Sequence, residues 1–233
     1  MSTIAGNLQA VEATIQTACQ AAARPRSTVQ LLAVSKTFPP EAVLEAVDAG
    51  QRAFGENYLQ EGVDKIAAVA KARPDTPLEW HFIGPIQSNK TRPIATHFDW
   101  VHTVERLKIA QRLSEQRPAE RGLLNICLQV NISGEATKSG AHPSELLALA
   151  REVSQLPNLR LRGLMAIPEP EDDPELQRAP FAQLRALAQQ VIDAGIFIDT
   201  LSMGMSGDLR AAVLEGSTIV RVGSAIFGSR TYE

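Results

Sequence analysis

Two cysteines in 233 residues make no disulfide framework. Cys19 lies in an Ala-rich helical pattern and Cys127 in an apolar run. Their spacing matches no metal or redox motif, so both read as buried free thiols in a reducing compartment. Charge of one sign is also scarce. With 23 basic against 26 acidic residues, mixed along the chain, the net charge is -3. No basic field exists to hold a nucleic-acid backbone or an anionic membrane. No apolar stretch is long enough to span a bilayer. The N-terminal "MSTIAGNLQAVEATIQ" lacks the basic n-region and continuous apolar h-region of a secretory signal. A cytoplasmic protein is the expectation. Nothing looks like a linker, so one domain over residues 1–233 is expected. The acidic, Pro-rich "PEPEDDPE" (Pro168–Glu175) reads as an exposed loop.

What the chain does have is a rhythm. Hydrophobic residues make up 44%, enough for a full core. Apolar, β-branched runs fall at Val29–Thr37, Ala53–Asn57, Glu79–Gly84, Trp100–Val104, Leu124–Ser133, Leu159–Ile167, Thr200–Met205 and Thr218–Phe227. Several are apolar at nearly every position, as strands covered on both faces should be. Helical patterns alternate with them. Pro39 and Pro40 open one that exits at Gly50, and Ser88 is a candidate cap for "NKTRPIATH". A short helix over Gly207–Glu215 links the last two strands. Parallel neighbours need crossovers, so this alternation predicts an α/β fold. Eight units suggest a closed (β/α)8 TIM-type barrel. Too little chain follows strand eight for a closing helix, so the helix over Ile4–Ala23 is expected to cover that wall. An open doubly wound sheet is the alternative.

Barrels of this type carry their chemistry at the C-terminal ends of the strands. Lys36, in "LLAVSKTFPP", ends strand one just before a Pro-Pro break. It shares strand parity with Leu32 and Val34 and should project into the barrel mouth. Position alone leaves two readings open: a solvated lysine at a strand tip, or a partly buried nucleophilic amine suited to a Schiff base. Asn57, Met165 and Ser202 end strands two, six and seven. "SMGMSGDL" (Ser202–Leu209) and "RVGSAIFG" (Arg221–Gly228) follow strands seven and eight, the usual phosphate-binding place in such barrels. Glycines admit the anion, backbone N–H groups point at it and hydroxyls add donors. Ser206, Gly223 and Ser224 are the candidates, against the plain alternative of a helix cap and a tight turn. Asp208 would repel a phosphate and should turn away to cap its helix. Arg221 has inward parity and needs a partner, either a buried carboxylate or a ligand ring nitrogen. An amine, a phosphate cradle and a ring-nitrogen donor together suggest pyridoxal phosphate.

The motifs "AVSKTFP", "FGENYLQE", "WHFIGPIQSNK", "VNISGEATKSG", "GLMAIPE" and "LSMGMSGDLRAAVLEGSTIVRVGSAIFG" resemble those of the pyridoxal phosphate homeostasis protein family. The resemblance runs from about Leu32 to Gly228. It implies a barrel like the N-terminal domain of alanine racemase, with the cofactor on the first-strand lysine, here Lys36. It implies phosphate contacts at Ser206, Gly223 and Ser224, Arg221 facing the pyridine nitrogen, and Asn57 near the cofactor. Lys138, the lysine of "TKSG", corresponds to a position associated with cofactor transfer; a plain surface lysine is the alternative. His81 and Asn89 belong to a family motif without an assigned role, and His81 reads equally as a satisfied core histidine.

Two functions compete on this scaffold: an amino acid racemase, and a carrier that stores or delivers pyridoxal 5'-phosphate, with apo-enzymes as recipients. Racemases resembling this barrel carry a further β-domain and a second base, a tyrosine. The chain ends at Glu233, and its tyrosines, Tyr58 and Tyr232, lack that context. Proton removal and return on opposite faces then lacks a partner. The reading is therefore a monomeric vitamin B6 homeostasis protein without substantial turnover. A Schiff-base aldolase acting on a phosphorylated substrate is the alternative from another class.

Overall fold

A computed structural model describes residues 3–134 and 138–228. Helix α1 (Ile4–Ala21) precedes β1 (Gln30–Val34). Then follow α2 (Pro40–Asp48), β2 (Ala53–Glu56), α3 (Leu59–Ala72), β3 (Glu79–Phe82), α4 (Thr91–His97), β4 (Trp100–Val104) and α5 (Leu107–Gln116). The second half continues with β5 (Leu124–Gln129), α6 (Leu146–Val153), β6 (Leu159–Met165), α7 (Pro174–Asp193), β7 (Thr200–Ser202), α8 (Leu209–Leu214), β8 (Ile219–Val222) and α9 (Ser224–Phe227). Each strand pairs in parallel with the next, and β8 returns to β1 from Gln30↔Ile219 to Ala33↔Val222. The barrel is closed, so the open-sheet alternative falls.

Alternation along the strands divides the core in two. Leu32, Ala53, Trp100, Cys127, Met165 and Ile219 pack together inside the barrel. Residues of opposite parity, such as Leu31, Ala33, Phe54, Phe82 and Val220, pack against the helices. Cys19 and Cys127 are both buried and unpaired as thiols, as expected. Helix α1 closes the wall beside β8. It packs on α8, α9 and α2. Asn7 Nδ2 donates to Ile226 O at 2.8 Å, and Thr3 Oγ1 caps the helix by accepting from Gly6 N at 3.1 Å.

The strands stop earlier than their apolar runs. The run to Phe227 breaks at Gly223, after which Ser224–Phe227 winds into a helical turn. Ser88 caps nothing: it lies inside a 3-10 turn (Ser88–Lys90) that leads directly into α4. Pro93 sits in the first turn of α4, where its missing N–H costs nothing. The last residues of the Pro168–Glu175 loop belong to α7, which Asp173 Oδ1 caps by accepting from Glu175 N at 2.9 Å.

Candidate functional site

Lys36 follows β1 by two residues and is half-buried. Its turn is held from both sides by a charge cluster. Lys65, on α3 and only 2% exposed, donates from Nζ to Ser35 O (2.8 Å), Glu56 Oε1 (2.7 Å) and Glu61 Oε1 (2.9 Å). Ser35 Oγ also donates to Glu56 Oε1 at 2.5 Å, and Thr37 N to Glu61 Oε1 at 2.6 Å. Thr37 adopts φ 69°, a conformation that β-branched residues avoid, so these bonds hold a strained turn in place. Both chain neighbours of Lys36 are thereby tied to one cluster. Burial pushes the Glu56 carboxyl above its usual range, and Lys65 opposes that shift. Sequence reasoning missed Glu56, Glu61 and Lys65. The available signal was the position of Lys65, which shares the buried face of α3 with Gly62 and Val69.

On the other side of β1, Arg221 pairs in register with Leu32. It is 4% exposed. Nη1 donates to Ser202 Oγ at 2.7 Å and Nη2 to Ala166 O at 3.0 Å. A hydroxyl and a carbonyl thus take the place of the carboxylate partner considered from sequence. Burial lowers the guanidinium to about 10, with Asp208 opposing that shift, so it stays charged at neutral pH.

The loops after β7 and β8 leave the same end of the barrel. Gly204 adopts φ 97°, and a Cβ there would lie 2.6 Å from Ala212 Cβ. Its carbonyl accepts from Arg221 N at 2.9 Å, tying the β7 loop to β8. Ser206 and Ser224 are exposed and Gly223 is half-buried. Asp208 does not cap α8 with its side chain. Its carboxylate accepts from Met205 N at 2.6 Å and closes the loop instead. Met165 is fully buried in the barrel interior, and Ser202, the last residue of β7, is spent on Arg221 and lies outside the loop.

Asn57 stands at the end of β2, its backbone pressed against Gly84. A Cβ at Gly84 would sit 2.1 Å from Asn57 O. Asn57 Oδ1 is buried and has no hydrogen-bond partner among the described residues. With Ile83, Thr103, Gln129 and Ile167 it lines a cavity of about 220 Å³ at the barrel mouth. A larger cavity of about 590 Å³ lies at the opposite end, around Leu159 and Asp199, away from every strand-end group considered above. Lys138 is exposed and forms an ion pair with Glu169, which joins the β5 and β6 loops. Asn89 is exposed, and Tyr58 is 55% exposed outside the cavity of the mouth. Tyr232 lies outside the described residues.

His81 is a fully buried interior residue with both ring nitrogens satisfied, by Glu79 Oε1 and by His102 Nε2, each at 2.8 Å. Burial, then His81 and Arg221, hold His102 well below the usual histidine range. Burial alone would raise Glu79, but its contacts from His81 and Gln30 outweigh that and bring it to about 2.

The family model "Alanine racemase, N-terminal domain" matches residues 6–231. The chain is 64% identical over 232 residues to the pyridoxal phosphate homeostasis protein of Pseudomonas aeruginosa, covering 100% of this chain and 98% of that one. This chain belongs to the pyridoxal phosphate homeostasis protein family. Among solved structures, PipY of Synechococcus elongatus with PLP bound superimposes with a TM-score of 0.83 at 38% identity, covering 97% of this chain and 100% of PipY. An alanine racemase of Clostridium difficile shares the fold at 14% identity, with a TM-score of 0.69 over 95% of this chain and 57% of the racemase.

Proposed function

We propose that this chain is one barrel domain that binds pyridoxal 5'-phosphate and serves intracellular vitamin B6 homeostasis. The carrying observation is the adjacency of β1 and β8. It sets β1, which leads into the half-buried Lys36 turn, against the strand that carries the buried, charged Arg221, with Gly- and Ser-rich loops at the same rim. The residues fit that cofactor chemically. Asn57 Oδ1 is a buried acceptor in need of a donor, which a bound group carrying a hydroxyl would supply. The bound cofactor supplies an aldehyde able to form a reversible Schiff base with an amine.

Lys36 would provide that amine. Ser206, Gly223 and Ser224 would hold the phosphate through hydroxyl and backbone donors. Arg221 has donors only, so it would pair with an unprotonated ring nitrogen. That nitrogen state weakens the ring as an electron sink and suits retention over carbanion chemistry. Met165 and Ser202 would support the site from the barrel interior, and Asn57 would form its wall. Lys138, exposed and ion-paired with Glu169, would receive ligand during release. The protein acts as a monomeric cytoplasmic carrier without substantial turnover, delivering cofactor to apo-enzymes.

The relatives' printed names, homeostasis proteins rather than racemases, support the carrier reading. The test is transfer of bound cofactor to an apo-enzyme, with and without a trap for free ligand, alongside incubation with single amino acid enantiomers. Transfer without racemisation is expected. Robust turnover of either enantiomer contradicts it.

A further inference from the structure

A continuous chain of side-chain hydrogen bonds crosses the barrel interior. It starts at Glu79, at the first residue of β3, and ends at Arg221. Its four links are Glu79 Oε1 to His81 Nε2 (2.8 Å), His81 Nδ1 to His102 Nε2 (2.8 Å), His102 Nδ1 to Ser202 Oγ (2.7 Å) and Ser202 Oγ to Arg221 Nη1 (2.7 Å). His81, His102 and Ser202 are each 0% exposed. None of the histidines or Glu79 is used by the function proposed above.

A single direction of donation satisfies every link. Arg221 can only donate, so Ser202 Oγ accepts from it and keeps its single proton for His102 Nδ1. His102 is held neutral by burial, by His81 and by Arg221. A neutral ring that accepts at Nδ1 carries its proton on Nε2, which donates to His81 Nδ1. His81 then carries its proton on Nε2 and donates to Glu79. Glu79, at about 2, is an acceptor only at neutral pH. One set of tautomers thus gives every link a donor and an acceptor, running from Arg221 to Glu79.

Arg221 uses this anchor on one side. Among the described residues, Ser202 and Ala166 accept from two of its five N–H groups. The guanidinium plane is thereby fixed while further donors remain for a ligand. The other groups acting on it electrostatically are Asp208 and Cys127, and burial raises the Cys127 thiol to about 12, so it adds no charge at neutral pH.

We propose that Glu79, His81, His102 and Ser202 are positioning residues whose one-way hydrogen-bond chain fixes Arg221 as an oriented donor toward the ring nitrogen of the bound cofactor. This rests on the pyridoxal phosphate reading. It assigns a function to the histidine of the "WHFIGPIQSNK" motif and adds a residue, Glu79, at the opposite end of the barrel from Lys36.

The test has two arms. In the first, ring nitrogens of ¹⁵N-histidine-labelled apo-protein are read by NMR. His81 and His102 should both be protonated on Nε2, and Glu79→Gln should convert His81 to a mixture of tautomers. A proton on Nδ1 of His102 in the parent protein overturns the proposal by itself, with no cofactor involved. In the second, pyridoxal 5'-phosphate is bound to the parent protein, Glu79→Gln and Ser202→Ala, each checked for native circular dichroism. Ser202→Ala should weaken binding about tenfold, the scale of one lost hydrogen bond to a charged group. Both variants should shift the pH at which the visible band of the bound cofactor changes. Unchanged affinity and spectra in folded variants overturn the proposal but leave the binding reading intact. A parent protein that takes up no cofactor overturns the binding reading as well.

Discussion

At the scale of single residues, the least expected feature is a lysine that does no chemistry. Lys65 is more deeply buried than Lys36 and binds two carboxylates and a carbonyl at once. Its charge compensates Glu56, which is itself 0% exposed. Removing one partner of a buried pair leaves the other uncompensated and costs about 3–5 kcal/mol. Lys65→Met should therefore lower the unfolding free energy in urea by that amount. It should also loosen the Lys36 turn, seen as faster amide hydrogen exchange at Thr37, whose N–H now donates to Glu61. Lys36 was readable from the sequence because a polar residue at the end of an apolar run is conspicuous. Lys65 was not, since its role exists only after α3 folds back over the β1 turn. The same holds for the histidines. Strand parity points His81 and His102 inward, but their contact depends on a β3–β4 register that no local pattern encodes.

At the scale of elements, each strand core and each helix core but α9 was legible from periodicity and turn residues, while their ends were not. Short apolar stretches such as "AIF" have no period, so Ser224–Phe227 read as strand although Gly223 turns the chain into α9. Likewise the "SNK" segment forms a 3-10 turn rather than a capped helix start. Helix α1 lies where the sequence reading put it, on the barrel wall, packed on α8, α9 and α2. Its buried stripe includes Leu8, Val11, Ile15, Ala18 and Cys19. Ile15 is 0% exposed, so Ile15→Ala should cost about 2–5 kcal/mol through lost burial and the cavity left behind. Denaturant unfolding should show a lower midpoint with an unchanged slope. A shift under 1 kcal/mol would mean that α1 is not integral to the wall.

At the scale of the whole molecule, buried ionisable groups make stability depend on pH. His102 has its folded value depressed below the ordinary 6.5. The unfolded chain then binds the extra proton, so the stabilisation is present above about 6.5 and is lost as pH falls below it. Glu79 adds a second loss from its ordinary 4.5 down to about 2. Glu56 acts in the opposite sense, because its value is raised and protonation favours the folded state. Urea midpoints should thus fall between pH 7.5 and 5.5, and His102→Gln should flatten that fall. The same interior polarity links the two ends of the barrel, which is why groups far from the mouth enter the account of its ligand.

The central claim is that Lys36 holds the cofactor. The most direct measurement is borohydride reduction of the protein loaded with pyridoxal 5'-phosphate, followed by peptide mass spectrometry. The account predicts one phosphopyridoxyl group on Lys36, with Lys36→Ala losing both the label and the visible absorbance. A label carried principally by Lys138 or another lysine, or a parent protein that takes none, would contradict it.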